Sequence, residues 1–273
     1  MSKQGGTALV TGASRGIGRY IARTLARKGY NLALVARSKS GLAQTKEESA
    51  GFGTKIWTFP FDLLEIKKIG ELYLEIINLV GNLDVIVNNA GIEIYRRFQD
   101  FSTEEISNII NLNLLAPMEL TRKVLPRMLN RDYGRIINIA SLGGKKGEAF
   151  NSPYTASKAG LIMWSDSLRQ ELHGTGVKVV VICPGFIAEA GMFHDIRGEV
   201  PPLLGTSSPQ AVADAVIAGL KGNRPEIIVN QGPMKPLLAL GQISPALGDR
   251  IVRWFKVPDL SRKRINSKSG KPA

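Results

Sequence analysis

The sequence predicts a single α/β domain built on a doubly wound parallel sheet with helices on both faces. Short, almost continuously apolar segments alternate with longer segments whose apolar residues recur at helical spacing. Continuous apolar runs are typical of strands covered on both faces, and their alternation with helices indicates parallel pairing. No internal repeat and no linker divides the chain into separate domains.

The predicted elements follow one another in regular order. The predicted strands are residues 7–11, 31–36, 55–61, 83–87, 135–140, 178–183 and 226–230, and the predicted helices are 19–28, 41–51, 67–81, 103–130, 154–174 and 209–222. Residues 186–208 are less regular and long for a loop, so we expect a lid or binding segment there. We expect the main domain to span residues 1–232 and an apolar, basic extension to span residues 233–273.

A glycine-rich turn from Gly12 to Gly18 joins the first strand to the first helix. Glycine lets the backbone turn tightly and approach a pyrophosphate, whose charge then meets free N–H groups at the helix start. The spacing is Gly-x-x-x-Gly-x-Gly, which alone is ordinary loop chemistry but between a strand and a helix favours nucleotide binding. The turn residues expected to contact the cofactor are Gly12, Ser14, Arg15, Gly16, Ile17 and Gly18.

Arg37 and Ser38 follow the second predicted strand, where NAD-binding proteins usually carry an acidic residue for the ribose hydroxyl. An arginine at this place binds a 2′-phosphate through a charge-assisted fork, and Arg15 supplies a second cation. The sequence therefore predicts NADP(H) rather than NAD(H) as the cofactor. The alternative interpretation is that Arg37 is only a solvated strand end.

Polar or small residues also follow the other predicted strands. The carboxyl ends of parallel strands meet at one edge of a sheet, which is where ligands bind in folds of this class. We therefore expect these residues to face one ligand together. They are Asp62, Leu63, Asn88, Asn89, Ala90, Gly91, Ser141, Pro184 and Gly185.

Tyr154 and Lys158 are four residues apart on a predicted helix, so their side chains fall on one face. A cation beside a phenol favours the phenolate, and we expect the pKa of Tyr154 to lie below its ordinary value of about 10. A tyrosine of this kind exchanges a proton with a carbonyl or an alcohol near neutral pH. The spacing alone is weak evidence, because it occurs on many surface helices.

The composition excludes several classes of protein. Cys183 is the only cysteine and His173 and His194 are the only histidines, so we expect neither an internal disulfide nor a metal site. The N-terminus lacks a secretory or transit signal, and no segment approaches the ~18 apolar residues of a membrane-spanning helix. These features predict a cytoplasmic protein.

The formal net charge of +13 is concentrated at the C-terminal end. From Arg250 onward, eight lysines and arginines stand against Asp259 alone. A basic segment of this kind suggests an anionic partner such as a membrane surface, although a solvated end that aids solubility is equally compatible. We expect no nucleic-acid binding, because residues 261–273 lack interleaved aromatic side chains and a reader motif.

Taken in order, these motifs resemble those of the short-chain dehydrogenases/reductases. The resemblance covers roughly residues 5–230 and is more specific than any single motif, because six signals occur in register. It implies a Rossmann-like fold and an NADP(H)-dependent oxidoreductase that interconverts a carbonyl and a secondary alcohol. The matching positions are residues 11–18, 62–63, 88–91, 141, 154–158 and 184–185.

The resemblance implies a role for each catalytic residue. Tyr154 exchanges the proton with the substrate oxygen, and Ser141 stabilises the charge that develops on that oxygen. Lys158 lowers the tyrosine pKa and holds the nicotinamide ribose. Asn113 helps to place a water in the proton relay, and Asn111 is a competing candidate whose register fits less well.

The resemblance also implies further cofactor contacts and shows one departure. The backbone of residues 89–91 lines the adenosine side of the cofactor, and Ile187 contacts it after the sixth strand. Where the family often carries a threonine that binds the nicotinamide amide, this chain has Glu189. Residues 233–273 extend beyond the resemblance, and no role can be transferred to them.

We expect reduction by NADPH of a hydrophobic ketone, such as a 3-oxoacyl, long-chain or steroid-like carbonyl, with contact to an anionic membrane through the extension. The alternative is a non-catalytic NADP(H)-binding regulator or scaffold, which would be free to lose Ser141, Tyr154 or Lys158. An epimerase or dehydratase on this scaffold usually has a different glycine spacing and a larger C-terminal domain. The resemblance also implies a homodimer or homotetramer, paired through the helices that carry Asn113 and Tyr154.

Overall fold

The computed structural model describes residues 5–187 and 205–268, with side chains described up to Ile265. The strands in these ranges are β1 (Thr7–Thr11), β2 (Asn31–Ala36), β3 (Ile56–Pro60), β4 (Val85–Asn88), β5 (Gly134–Ile139), β6 (Val177–Pro184) and β7 (Glu226–Val229). They form one parallel sheet in the order β3-β2-β1-β4-β5-β6-β7. The order reverses between β1 and β4, as in doubly wound sheets, and confirms the predicted fold class.

Most of the helices alternate with these strands. In the described ranges they are α1 (Gly16–Arg27), α2 (Lys39–Glu48), α3 (Ile69–Val80), α4 (Thr103–Ile110), α5 (Ala116–Asn130), α6 (Ser152–Glu171), α7 (Pro209–Gly219), α8 (Met234–Ile243), α9 (Pro245–Trp254) and α10 (Val257–Lys268). The bounds differ from the predicted ones by a few residues at most helix ends, where fraying and local caps decide the last turn.

Each face of the sheet is covered because the strands are apolar on both sides. In β1, Ala8 and Val10 contribute to one core cluster and Leu9 to the other, and all three are fully buried. Helices α1 and α7 cover the first face, where Ile21 is one of the buried side chains. Helices α3 and α5 cover the second face, where Leu120 is buried. The two-sided core explains why the strand segments lack polar alternation.

The predicted helix over residues 103–130 is interrupted. Helix α4 starts with a capping box, in which Ser102 accepts from the backbone of Glu105 and the Glu105 carboxylate accepts in return. After Ile110, one π-helical turn spans Asn111–Leu115 before α5 begins. Turns of this type are rare and frequently mark functional sites, and here the turn contains the predicted catalytic residue Asn113.

Residues 234–254, in the predicted extension, form two helices although they contain glycines and prolines. Pro245 lies in the first turn of α9, where a missing backbone N–H costs nothing. Gly241 and Gly248 are the point of closest approach between α8 and α9, since a Cβ on residue 248 would lie 2.8 Å from the Gly241 Cα atom. The glycines therefore permit helix packing and do not end a helix.

Candidate active site

A continuous cavity of about 1030 Å³ lies along the carboxyl ends of the strands. It is lined by every predicted cofactor residue and by three of the four predicted catalytic residues. The lining residues from that set are Gly12, Ser14, Arg15, Gly16, Ile17, Gly18, Arg37, Ser38, Asp62, Leu63, Asn89, Ala90, Gly91, Ser141, Tyr154, Lys158, Pro184, Gly185 and Ile187. Asn113 does not line the cavity, because it is fully buried behind it. Glu189 and His194 lie outside the described residues.

The glycine turn at one end of the cavity fits the pyrophosphate of a dinucleotide. Gly12 has φ +65°, and a Cβ there would lie 2.9 Å from the Ala90 Cα atom. A Cβ on Gly18 would overlap the carbonyl oxygen of Gly12. The turn therefore tolerates no side chain at either position, and the start of α1 is left open to an anion.

Arg15 and Arg37 supply the positive charge at this end of the cavity. Arg37 forms an ion pair of 3.8 Å with Asp62, and its side chain is 63% exposed. A surface ion pair of this length contributes little to stability. The Arg37 guanidinium can therefore leave Asp62 and bind a phosphate at a small cost in free energy. Ser38 lines the same end, where its hydroxyl caps α2 by accepting from Gly41.

Thr11, which was not predicted as a site residue, joins the glycine turn to the loop after β4. Its hydroxyl accepts from the backbone N–H groups of Asn89 (3.0 Å) and Ala90 (3.1 Å). The Asn89 amide donates in return to the carbonyl oxygen of Thr11 at 3.0 Å. These bonds fix two neighbouring strand ends against each other. The only sequence signal for this role was the position of Thr11 directly before Gly12.

Asn113 holds the loop after Gly91 through all of its side-chain polar atoms. Its Oδ1 accepts from the backbone of Ile92 at 2.9 Å, and its Nδ2 donates to the Ile92 carbonyl and to the Ser157 hydroxyl, both at 3.0 Å. Gly91 packs directly against it, since a Cβ there would lie 3.0 Å from Asn113 Oδ1 and 3.6 Å from Lys158 Nζ. The Asn113 side chain therefore holds the backbone of Gly91 and Ile92 next to Lys158.

Tyr154, Lys158 and Ser141 converge in the middle of the cavity. Tyr154 and Lys158 are buried on one face of α6, and the Lys158 Nζ atom lies 5.7 Å from the centroid of the tyrosine ring. The same Nζ atom donates to the Ile139 carbonyl at the end of β5, at 2.9 Å. Ser141 follows that strand, and its hydroxyl is hydrogen-bonded to the Tyr154 side chain and accepts from Gly143 at 3.0 Å.

The expectation of a lowered pKa for Tyr154 is wrong in this structure. Burial raises the pKa of Tyr154, the Glu93 carboxyl raises it further, and the hydrogen bond with Ser141 acts in the opposite direction. Burial also lowers the pKa of Lys158 to about 8. Desolvation disfavours both charged forms, so the cost of burial exceeds the effect of the cation on the phenol.

The other half of the cavity is apolar and was not assigned from the sequence. Its walls come largely from α8 and α9, which lie in the predicted extension. The apolar residues that these helices and the segment after them contribute are Met234, Leu237, Leu238, Ile251, Val252, Phe255 and Val257. Which face of these helices turns toward the strand ends depends on contacts distant along the chain.

Polar residues border the catalytic group on the same side. Glu93 and Tyr95 come from the loop after β4, and Glu148 comes from the loop after Ser141. The sequence analysis assigned none of these three side chains a function. In the part of the chain that is described, no group of His, Cys, Asp and Glu side chains could hold a metal ion.

The fold and the site define a class of protein: a dinucleotide-binding reductase with a buried tyrosine, lysine and serine at the end of the cofactor cleft. A sequence model of the family described as short chain dehydrogenase matches residues 6–200. The chain therefore belongs to the short-chain dehydrogenase family.

Individual relatives agree with this assignment. The chain is 51% identical to a ketoacyl reductase, HetN, from Nostoc sp., over 97% of this chain and 94% of the relative. It is 35% identical to the 3-oxoacyl-[acyl-carrier-protein] reductase FabG of Aquifex aeolicus, over 78% of this chain and 89% of the relative.

A solved structure agrees as well. A metagenomic short-chain oxidoreductase in complex with NADP superposes with a TM-score of 0.73 at 32% identity, covering 84% of this chain and 98% of that one. The chain is thus an NADP(H)-dependent oxidoreductase that acts on C=O and CH–OH groups.

The buried lysine generates a stability prediction. The pKa of Lys158 is about 8 in the folded protein, compared with 10.5 for a lysine that is not buried. The unfolded chain therefore binds the proton more tightly than the folded protein does. Below pH 8 the buried ammonium of Lys158 exerts its whole destabilising effect on the fold. The free energy of unfolding then rises as the pH increases from 8 toward 10.5. Lys158→Met should raise the free energy of unfolding of the cofactor-free protein at pH 7 by about 1 kcal/mol or more. It should also reduce the increase of that free energy between pH 8 and pH 10.5.

Urea unfolding at a series of pH values measures both effects. Lys263→Met, which removes an exposed charge from α10, serves as the control and should change neither quantity. A Lys158→Met protein that is less stable at pH 7 and keeps the full pH dependence would contradict a destabilising buried ammonium.

Proposed function

We propose that the protein uses NADPH to reduce the ketone of a hydrophobic substrate, such as a 3-oxoacyl, long-chain or steroid-like carbonyl compound. The observation that carries the proposal is the shape of the cavity: the Ser141, Tyr154 and Lys158 group opens on one side to the cofactor end and on the other to the apolar half. The names of the relatives, ketoacyl reductase and 3-oxoacyl-[acyl-carrier-protein] reductase, support an oxoacyl chain.

The residues at the cofactor end have separate tasks in this proposal. The glycine turn and the start of α1 hold the pyrophosphate, and Arg15 and Arg37 hold the 2′-phosphate. The backbone of residues 89–91 lines the adenosine side, and Lys158 holds the nicotinamide ribose. When bound, NADPH supplies the hydride. The protein contributes position and the proton.

The raised pKa of Tyr154 suits proton donation in the direction of reduction. A buried phenol with a raised pKa keeps its proton at neutral pH. As the ketone is reduced, negative charge develops on its oxygen, and an alkoxide is a stronger base than a phenolate, so the proton moves from Tyr154 to that oxygen. The Ser141 hydroxyl lies beside Tyr154, and once a ketone is bound it can turn its one proton to the same oxygen and stabilise the charge there.

Asn113 and Lys158 have supporting roles. The π-helical turn and the three side-chain hydrogen bonds of Asn113 hold the loop at Gly91 close to the lysine ammonium. A water placed there by the backbone around residue 113 would return a proton to the site through Lys158. The pKa of about 8 allows Lys158 to exchange protons in the physiological range.

The substrate class can be tested by filling the apolar half of the cavity. In Ile251→Trp, the indole should occupy space used by a long chain, while a short ketone needs only the catalytic group. For 3-oxoacyl thioesters of graded chain length, we expect the KM of the longest to rise about tenfold or more and that of the shortest to stay unchanged.

The control for this test is Ala246→Trp, which adds the same side chain at an exposed position on α9. Steady-state kinetics at saturating NADPH measure the effect. Equal kinetics for long and short substrates in the wild-type protein, or no change in Ile251→Trp, would contradict an apolar substrate site in this half of the cavity.

We also propose that α8 and α9 contact an anionic membrane surface with their outer faces. Ile243 and Trp254 are 83% and 76% exposed, and Arg250, Arg253 and Lys256 are exposed on the same segment. An apolar surface flanked by positive charge is the arrangement that binds anionic lipid interfaces. Among the residues that the structure describes, no helix is long and apolar enough to cross a membrane.

Membrane contact can be measured as partition onto phosphatidylglycerol vesicles. Ile243→Ser combined with Trp254→Ser should reduce partition by about tenfold or more, because both apolar anchors are lost. Phe52→Ser, which removes an exposed apolar side chain from a distant loop, is the control and should have no effect. Equal partition of all three proteins would contradict the proposed surface.

Three further predictions remain part of the proposal. Self-association through the helices that follow Asn113 and carry Tyr154 is supported by the exposure of Leu115 (42%) and Met163 (64%), which lie in and near those helices. The division of the chain at residue 232 remains a prediction, as does a cytoplasmic location. Helices α8 to α10 occupy the predicted extension, but they share one cavity with the rest of the domain.

A further inference from the structure

Helix α10 buries an arginine beside the catalytic cavity. The neighbouring Arg262 and Lys263 of this helix are exposed to solvent. Arg264 is only 3% exposed and lines the cavity. An ionised side chain is costly to bury unless it is paired, so its partners indicate what holds this helix in place.

Among the described residues, partners of Arg264 include side chains from the two loops that border the catalytic group, and the Phe186 ring lies 6.0 Å from its Cζ atom. Its guanidinium donates to the Tyr95 hydroxyl and lies 3.7 Å from the Glu148 carboxylate. It also stacks on the Tyr95 ring, with its Cζ atom 4.4 Å from the centroid. Ser261, one turn earlier on α10, donates to the same Glu148 oxygen at 3.2 Å.

Two carboxyl groups face the Tyr95 hydroxyl in this cluster. The Tyr95 oxygen lies 2.8 Å from Glu148 Oε1 and 2.9 Å from Glu93 Oε1. Burial and the nearby Glu148 raise the pKa of Glu93, and Arg264 acts in the opposite direction. Glu148 is the carboxylate within ion-pair distance of the Arg264 guanidinium.

The cluster lies directly beside the catalytic residues. A Cβ placed on Gly143 would be 3.4 Å from the Ser141 hydroxyl and 3.8 Å from both Glu148 Oε2 and the Tyr154 ring. Glu148 is therefore shared between the catalytic surroundings and the C-terminal helix. Any displacement of α10 must leave an unpaired carboxylate next to the site.

Other polar contacts between the C-terminal helices and the catalytic loop lie closer to the surface. Lys146 pairs with Asp249 of α9 at 2.6 Å, and Gln242 of α8 donates to the Lys145 carbonyl at 3.0 Å. Exposed pairs of this kind contribute little to stability. Among these contacts between described residues, the buried contact of Arg264 is therefore the one whose loss should cost most.

We propose that Arg264 is a positioning residue that holds α8 to α10 as the wall of the apolar substrate half, and that selectivity for long-chain ketones depends on it. The inference rests on the proposed function for its substrate class. Short ketones need only Ser141, Tyr154 and the cofactor, whereas a long chain needs the wall that α8 and α9 provide. Loss of the attachment therefore affects substrates according to their length.

The test compares Arg264→Met with Lys263→Met, which removes the same charge from the adjacent, exposed position. In Arg264→Met, we expect the KM for the longest 3-oxoacyl thioester to rise about tenfold or more, with kcat on the shortest and the Kd for NADPH within about twofold. Lys263→Met should match the wild type throughout. Equal losses for short and long substrates, or no loss, would overturn the proposal.

A second variant separates the charge pair from packing. The combination of Arg264→Met and Glu148→Gln removes the unpaired carboxylate, so its KM for the long substrate should be lower than that of Arg264→Met alone. If Arg264 acted through packing only, the two changes would add. An additive result would contradict the proposed pairing.

Hydrogen exchange gives a readout that needs no substrate. Peptides from α8 and α9 should exchange faster in Arg264→Met than in the wild type, and at the wild-type rate in Lys263→Met. Unchanged exchange in Arg264→Met would overturn the attachment even if kinetics changed. If the wild type reduced no ketone, the proposed function would fail, whereas the exchange data would still decide the role of Arg264.

Discussion

The burial of a phenol and an ammonium together at the carboxyl edge of the sheet is the constraint on which the rest of the site depends. Tyr154 and Lys158 are both desolvated, so each resists its charged form. The Ile139 carbonyl accepts a hydrogen bond from the Lys158 ammonium, and the Ser141 side chain is hydrogen-bonded to the Tyr154 hydroxyl. The helix α6 is held close enough for this because Gly144 lets it approach: a Cβ there would lie 2.7 Å from the Lys158 backbone.

The fold was predictable because its signals are local. The apolar strands and the glycine turn between β1 and α1 need only neighbouring residues to be recognised, and parallel topology then places their ends at one edge. The cofactor end of the site follows from that placement. The sign of the Tyr154 pKa shift was not predictable, because it depends on how completely the fold buries the phenol and on the charge of Glu93, which is distant along the chain.

The substrate half could not be derived in the same way. Gly241 and Gly248 allow two helices to touch, which depends on how α8 and α9 pack against each other. Arg264 was counted as one charge of a basic tail, yet it is buried against Glu148, more than a hundred residues earlier in the chain. Neither the composition nor the helical period of a segment states which distant loop it will pair with.

We propose that Tyr154 supplies the proton while the neighbouring residues hold the cofactor. The most direct measurement is on Tyr154→Phe, which removes one hydroxyl, by following NADPH binding through nucleotide fluorescence and ketone reduction in the same preparation. For Tyr154→Phe we expect a Kd for NADPH close to that of the wild type and a loss of kcat/KM of about a hundredfold or more. Ketone reduction at a near wild-type rate would contradict it.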